Sequence, residues 1–142
     1  MTKQELIEKL DILSKKTNEE WVASLDERKV KEIEFHNQDK ASAESISQET
    51  YEKIHENLKF YTTTQLSSAY VNNWIARHSR SKIFLDYACG DGKNAIKAAK
   101  AGAELAIGLD ISDGSIANAK AAARKEGLSN NTYIIQGECE NT

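Results

Sequence analysis

A chain of 142 residues with 39% hydrophobic and 29% charged content suits one soluble domain, or one domain carrying a helical arm. Its formal net charge of -3, with basic residues scattered among acids, offers no electrostatic footprint for nucleic acid. No apolar run is long enough to span a bilayer, and the start "MTKQELIEKL" lacks a signal peptide's apolar centre, so a cytoplasmic chain without membrane contact is expected.

Residues 1–80 read as a helical arm or cap. Thr2 and Glu5 have capping-box spacing, and Leu6, Leu10 and Leu13 then recur every three or four residues. Thr17 with Glu20 offers a second start, followed at helical spacing by Trp21, Val22, Leu25, Val30 and Ile33. Ser42 to Gln48 reads as a polar break. Two further helices are expected, one over 48–60 on Tyr51, Ile54 and Leu58, and one over 65–77 on Leu66, Ala69, Tyr70 and Trp74. The chain has no proline, which permits long uninterrupted helices.

From Lys82 the rhythm changes. "KIFLDYA" is short, apolar and bounded by a glycine turn, as a buried parallel strand should be. "KNAIKAAKAG" reads as a helix stopped by Gly102. "AELAIGLD" is a second strand, and "SDGSIANAKAAARKEG" a second helix with Ser112 or Asp113 as cap and Gly127 as stop. "TYIIQGE" is a third strand. Right-handed crossovers put these strands in the order 3-2-1. The fold class is therefore α/β: residues 81–142 form a partial Rossmann-like domain, a β-α-β-α-β half of a doubly wound parallel sheet, behind the helical arm.

Ligands of such sheets sit beyond the carboxyl ends of the strands. Three acids gather there: Asp86 near the end of the first strand, Asp110 ending the second, and Glu138 after the third. Gly90 and Gly92 let the backbone approach a ligand, and the next helix offers unpaired N–H groups. Asp110 stands where a Rossmann unit keeps the acid that grips ribose hydroxyls. It could also cap the next helix, as Asp86 could be a carboxylate satisfied by backbone N–H groups. Gly90 to Ala95 fits the dinucleotide pattern G-x-G-x-x-G/A, but an anionic pyrophosphate gains nothing beside Asp86. A ligand with an amino group and a sulfonium does.

The stretch "LDYACGDG", read as Asp86-x-Ala88-x-Gly90-x-Gly92, resembles the first motif of class I S-adenosylmethionine-dependent methyltransferases. "IGLDIS" resembles their second-strand motif and "QGECEN" their segment after the third strand, while "EIEFHN" and "KFYTTTQLSSAYVNNWI" resemble the helical arm of small-molecule members. The resemblance implies S-adenosylmethionine as cofactor, methyl transfer to a small-molecule acceptor, and a role for each matching residue. The Gly90–Gly92 loop would pass along the methionine portion, with Ala88 and Cys89 as further cofactor-binding positions of the motif and Asp86 helping to hold the amino group. Asp110 would take both ribose hydroxyls and Ile111 would pack on the adenine. Glu138, where Asp is commoner, would accept from the adenine amino group, with the Cys139 N–H near the purine ring.

The family normally has seven strands, and here the sequence reaches only the third, so a truncated domain is expected, with the acceptor site largely absent. "KIFLDYA" would then be an exposed edge, covered by self-association or by the arm. The rival readings are a non-catalytic interaction module and a nicotinamide-dependent oxidoreductase fragment. No metal site is suggested: Cys89 and Cys139 read as free thiols, Cys89 with its pKa lowered by the adjacent helix N-terminus. No catalytic residue can be assigned, although His36 could reach the site as a base. Phe60, Tyr61 and Tyr70 could cover a sulfonium, or simply be core aromatics.

Overall fold

Thr2 and Thr17 each accept a hydrogen bond from the backbone three residues on, and Glu5 and Glu20 answer them reciprocally. These two capping boxes start α1 (Lys3–Leu13) and α2 (Asn18–Ala23) in the computed structural model, which describes residues 2–45 and 64–139. The second start does not run on into one long helix. Asp26 accepts from the Lys29 N–H at 3.0 Å and begins a new helix, α3 (Glu27–Ser45), so the chain turns at Ser24 to Asp26. The helix also continues through the first part of the expected polar break. The helix expected over 48–60 lies outside the described residues.

The order continues with α4 (Thr64–His78), β1 (Ile83–Tyr87), α5 (Lys93–Lys100), β2 (Leu105–Asp110), α6 (Asp113–Lys125) and β3 (Thr132–Gln136). The strands are parallel with β2 central, as the crossover rule requires. Gly102 and Gly127, both at positive φ, follow α5 and α6 where the sequence places their stops.

Alternation along β2 divides the core. Ala106 faces α5 and α6, joining Ala95, Ala98, Ala99, Ile116, Ala119 and Ile134, with Ile75 of α4 packed alongside. Leu105, Ile107 and Leu109 face the other way and meet Ile135 beneath Leu10 of α1. The Lys3 ammonium donates to the Glu104 carbonyl at 2.9 Å and the Tyr133 hydroxyl to the Asp11 carboxylate, tying α1 across that face.

Here β1 departs from the expected buried strand. Ile83, Leu85 and Tyr87 share the face of Leu105, Ile107 and Leu109, yet they remain 43%, 46% and 50% exposed. The arm helix α1 lies over β2 and β3 and leaves β1 bare, so among the described residues the arm does not cover this edge. None of the described helices is long and apolar enough to cross a membrane.

Candidate functional site

Between β1 and α5 the chain makes a tight turn in which Ala88, Gly90 and Gly92 all have positive φ. The Cys89 N–H donates to the Leu109 carbonyl at 2.9 Å, which fixes the turn against the end of β2. The two glycines do different work. At Gly92 a Cβ would sit 2.8 Å from Ala119 Cβ, so this glycine lets α5 and α6 close together. At Gly90 a Cβ would meet nothing within 4 Å, and the backbone stands open. Ala88 holds its left-handed conformation with a side chain, the kind of local strain that collects at functional sites.

The Gly90 N–H donates to Asp110 Oδ2 at 2.7 Å, and the Ser112 N–H to Asp110 Oδ1 at 3.0 Å. Asp110 therefore does not cap α6; Ser112 does, its hydroxyl accepting from the Ser115 N–H at 3.1 Å. That hydroxyl donates in turn to Asn37 Oδ1 at 2.9 Å, and Asn37 Nδ2 donates to Asp113 at 2.9 Å. The arm is thereby fastened to the start of α6.

A cavity of about 490 Å³ opens at the carboxyl ends of the strands. Of the residues expected at the site, Ala88, Gly90, Asp110, Ile111, Glu138 and Cys139 line it. Asp86, Cys89 and Gly92 are not among its lining residues. Asp86 instead accepts from the Ala95 N–H at 3.3 Å, within the first turn of α5. Burial raises its pKa, the Ala95 N–H and the Asn94 side chain oppose that rise, and the Asp110 charge adds to it. A second concavity of about 410 Å³ runs past Lys120 and Arg124 along β3, but it gathers neither a glycine turn nor an acid.

The residues that sequence reasoning missed, Arg28, Lys29 and Glu32, come from the arm, where His36, raised from the sequence, lines the cavity beside them. Arg28, Glu32 and His36, spaced by four along α3, form a wall of the cavity together with Lys29. The Lys29 ammonium lies 3.1 Å from the Glu138 carboxylate, with both side chains almost fully buried. Arg28, Glu32 and His36 form one helical stripe, and Lys29, Ile33 and Asn37 form the next, a periodicity that apolar counting passes over. The described aromatic candidate Tyr70 is 71% exposed on α4 and does not line the cavity. Phe60 and Tyr61 lie outside the described residues.

Cys89 reverses its expectation. Burial, then the charges of Asp110 and Asp86, push its thiol up to about 12, and this outweighs any effect of the helix N-terminus. Cys139 is exposed. Brief treatment with iodoacetamide near pH 8 should therefore alkylate Cys139 first and leave Cys89 largely unmodified in peptide maps; equal labelling would contradict this environment.

The family profile described as a methyltransferase domain matches residues 84–142. The ribosomal protein L11 methyltransferase of Hamiltonella defensa is 36% identical over 78 residues, which are 54% of this chain and 26% of that protein. Among solved structures, PRMT6 superposes with a TM-score of 0.51 at 18% identity, over 58% of this chain and 25% of that one. Arabidopsis thaliana protein arginine methyltransferase 10 gives a TM-score of 0.48 at 26% identity, over 58% and 26%. The chain thus spans about a quarter of the length of these relatives. Residues 84–139, with their glycine turn, parallel 3-2-1 sheet and acids at the strand ends, have the class I S-adenosylmethionine-dependent methyltransferase fold.

Proposed function

We propose that this chain binds S-adenosylmethionine and supplies the cofactor side of a methyltransferase. The observation that carries the reading is Asp110. Each of its oxygens takes one backbone N–H, from Gly90 and Ser112, and keeps lone-pair capacity at the cavity it lines. Such a carboxylate is pre-oriented to accept from the two hydroxyls of a ribose. The residues fit the rest of the group. Gly90 presents open backbone, Ile111 offers an apolar surface for a purine, and Glu138 and Cys139 lie on the same cavity wall. A volume of about 490 Å³ suits a small-molecule site. A pyrophosphate along the turn would instead face Asp91 and Asp110, which disfavours a nicotinamide dinucleotide.

The bound cofactor supplies an electrophilic methyl group for in-line displacement. The chain's own contribution is to orient the nucleoside and exclude water, which is where catalysis of such a step is gained. For the acceptor we retain a small molecule. A protein acceptor is the second reading, supported by the name of the ribosomal protein L11 methyltransferase. Self-association through the bare edge of β1 and a cytoplasmic setting belong to the same proposal.

Calorimetric titration with S-adenosylhomocysteine, NADH and an Asp110→Ala variant tests the reading. Wild-type protein should bind S-adenosylhomocysteine and not NADH, and the variant should lose at least ~10-fold in affinity, about 1.4 kcal/mol. A melting curve of the variant is needed beside it, because the Gly90 and Ser112 N–H groups lose their acceptor. Binding of NADH alone would favour the oxidoreductase, and binding of neither the interaction module.

A further inference from the structure

Among the described residues, β3 pairs only with β2 and so forms one edge of the sheet. The Ala106 N–H donates to the Asn131 carbonyl at 2.8 Å, and the Gly137 N–H to the Asp110 carbonyl at 2.9 Å. Alternate residues of a parallel strand turn their N–H and C=O to the same neighbour. Tyr133 and Ile135 therefore face β2, and the backbone groups of Thr132, Ile134 and Gln136 face away from it. Edge strands are ordinarily protected by lysine, proline or a bulge. Thr132–Gln136 carries neither residue, and its register with β2 is unbroken.

The concavity of about 410 Å³ runs along this edge, with Lys120 and Arg124 of α6 on one side and Ser14, at the end of α1, on the other. A smaller concavity of about 120 Å³ shares Ser14, Lys120 and Ile135 with it and adds Lys16 and Asp113. Asp113 already accepts from Asn37 at 2.9 Å. The rim of the groove is thus cationic on a chain whose formal net charge is -3.

We propose that the free edge of β3 docks an acidic, extended peptide segment of a partner protein. The segment adds to the sheet as a further strand, through main-chain hydrogen bonds to Thr132 and Ile134. Its alternate side chains fall on the α6 face, where Ile134 packs, and meet Lys120 and Arg124. A second copy pairing its own β3 here would bring two cationic rims together, which is repulsive. The groove shares no lining residue with the cavity at the carboxyl ends of the strands, so the inference stands apart from the cofactor reading.

The probe is a capped peptide of about seven residues alternating glutamate with valine, long enough to span the strand. It is titrated against the full chain by fluorescence anisotropy, with amide hydrogen exchange measured beside it. In the free protein Tyr133 and Ile135 should exchange more slowly than Thr132 and Ile134. Saturating peptide should slow Thr132 and Ile134 by roughly 10-fold or more and leave the other two unchanged. Lys120→Glu with Arg124→Glu, both at exposed positions, should weaken binding by at least ~10-fold, and so should lysine in place of the peptide's glutamates.

A peptide N-methylated throughout keeps its charge but cannot donate a main-chain hydrogen bond. Equal binding by that peptide would overturn the proposal, since charge alone would then explain the affinity. No binding of the acidic peptide up to about 1 mM would overturn it as well. Protection of Thr132 and Ile134 that rises with protein concentration, without peptide, would assign the edge to a second copy instead.

Discussion

Gly92→Ala should cost about 2–5 kcal/mol of stability, the sum of two separate penalties. Gly92 has φ +73°, where an L side chain loses roughly 1–2 kcal/mol. The new Cβ would also stand 2.8 Å from Ala119 Cβ, a side chain with no rotamer by which to move away. Relieving that contact means shifting α5 from α6, and overpacking of this sort costs roughly 1–3 kcal/mol. The expected fall in melting temperature is on the order of 10 °C. Gly90→Ala provides the contrast: its φ of +53° carries the backbone penalty, but its Cβ meets nothing. Ala119→Gly in the double variant should recover the steric part, with a coupling of about 1 kcal/mol or more. Equal losses at Gly90 and Gly92 in denaturant titrations would show that the helix contact does not matter.

The second large effect is expected at Leu10. It is the buried residue of α1, set against Leu105, Ile107, Leu109 and Ile135. Leu10→Ala should cost about 2–4 kcal/mol, in the range found for buried leucines. If α1 detaches instead of leaving a cavity, the loss is capped at the free energy that docks the helix. Hydrogen exchange separates the two cases, since detachment removes protection from Lys3–Leu13 while β2 and β3 keep most of theirs. Unchanged stability together with unchanged exchange would mean that α1 contributes nothing to the sheet.

These two sites also mark what could be read from the sequence. The capping boxes, the glycine stops of α5 and α6, and the three strands are local signals, and each element appears where its signal stands. Strand order follows from chirality and needs no side-chain detail. The candidate site was legible so far as it lies on strand ends, hence Gly90, Asp110, Ile111, Glu138 and Cys139. Of the arm's share only His36 was. Lys29 meets Glu138 only because α3 is laid across the ends of β2 and β3, and no local pattern encodes a pairing between opposite ends of a chain. The Asp26 break escaped notice because Val30 and Ile33 keep helical spacing with the residues before it. Cys89 was misread because helix proximity is visible in sequence, whereas its burial and the charges of Asp110 and Asp86 are not. The exposed side of β1 was missed for the opposite reason: apolar composition looks the same whether a neighbour is present or absent.

The alanine face of α5 and α6 has a consequence for the entropy of binding. Ala95, Ala98, Ala99, Ala119 and Ala123 form much of the packing behind the glycine turn, and alanine has no rotamers to freeze. That side of the cavity gives up little conformational freedom when a ligand arrives. The opposite wall is built from Arg28, Lys29 and Glu32, among the most rotamer-rich side chains available. Lys29 has already surrendered its freedom to the buried pair with Glu138, whereas Glu32 is exposed and has rotamers still to lose. The ordering penalty of this site therefore falls on the arm, and substitutions along α3 can tune affinity without touching the sheet.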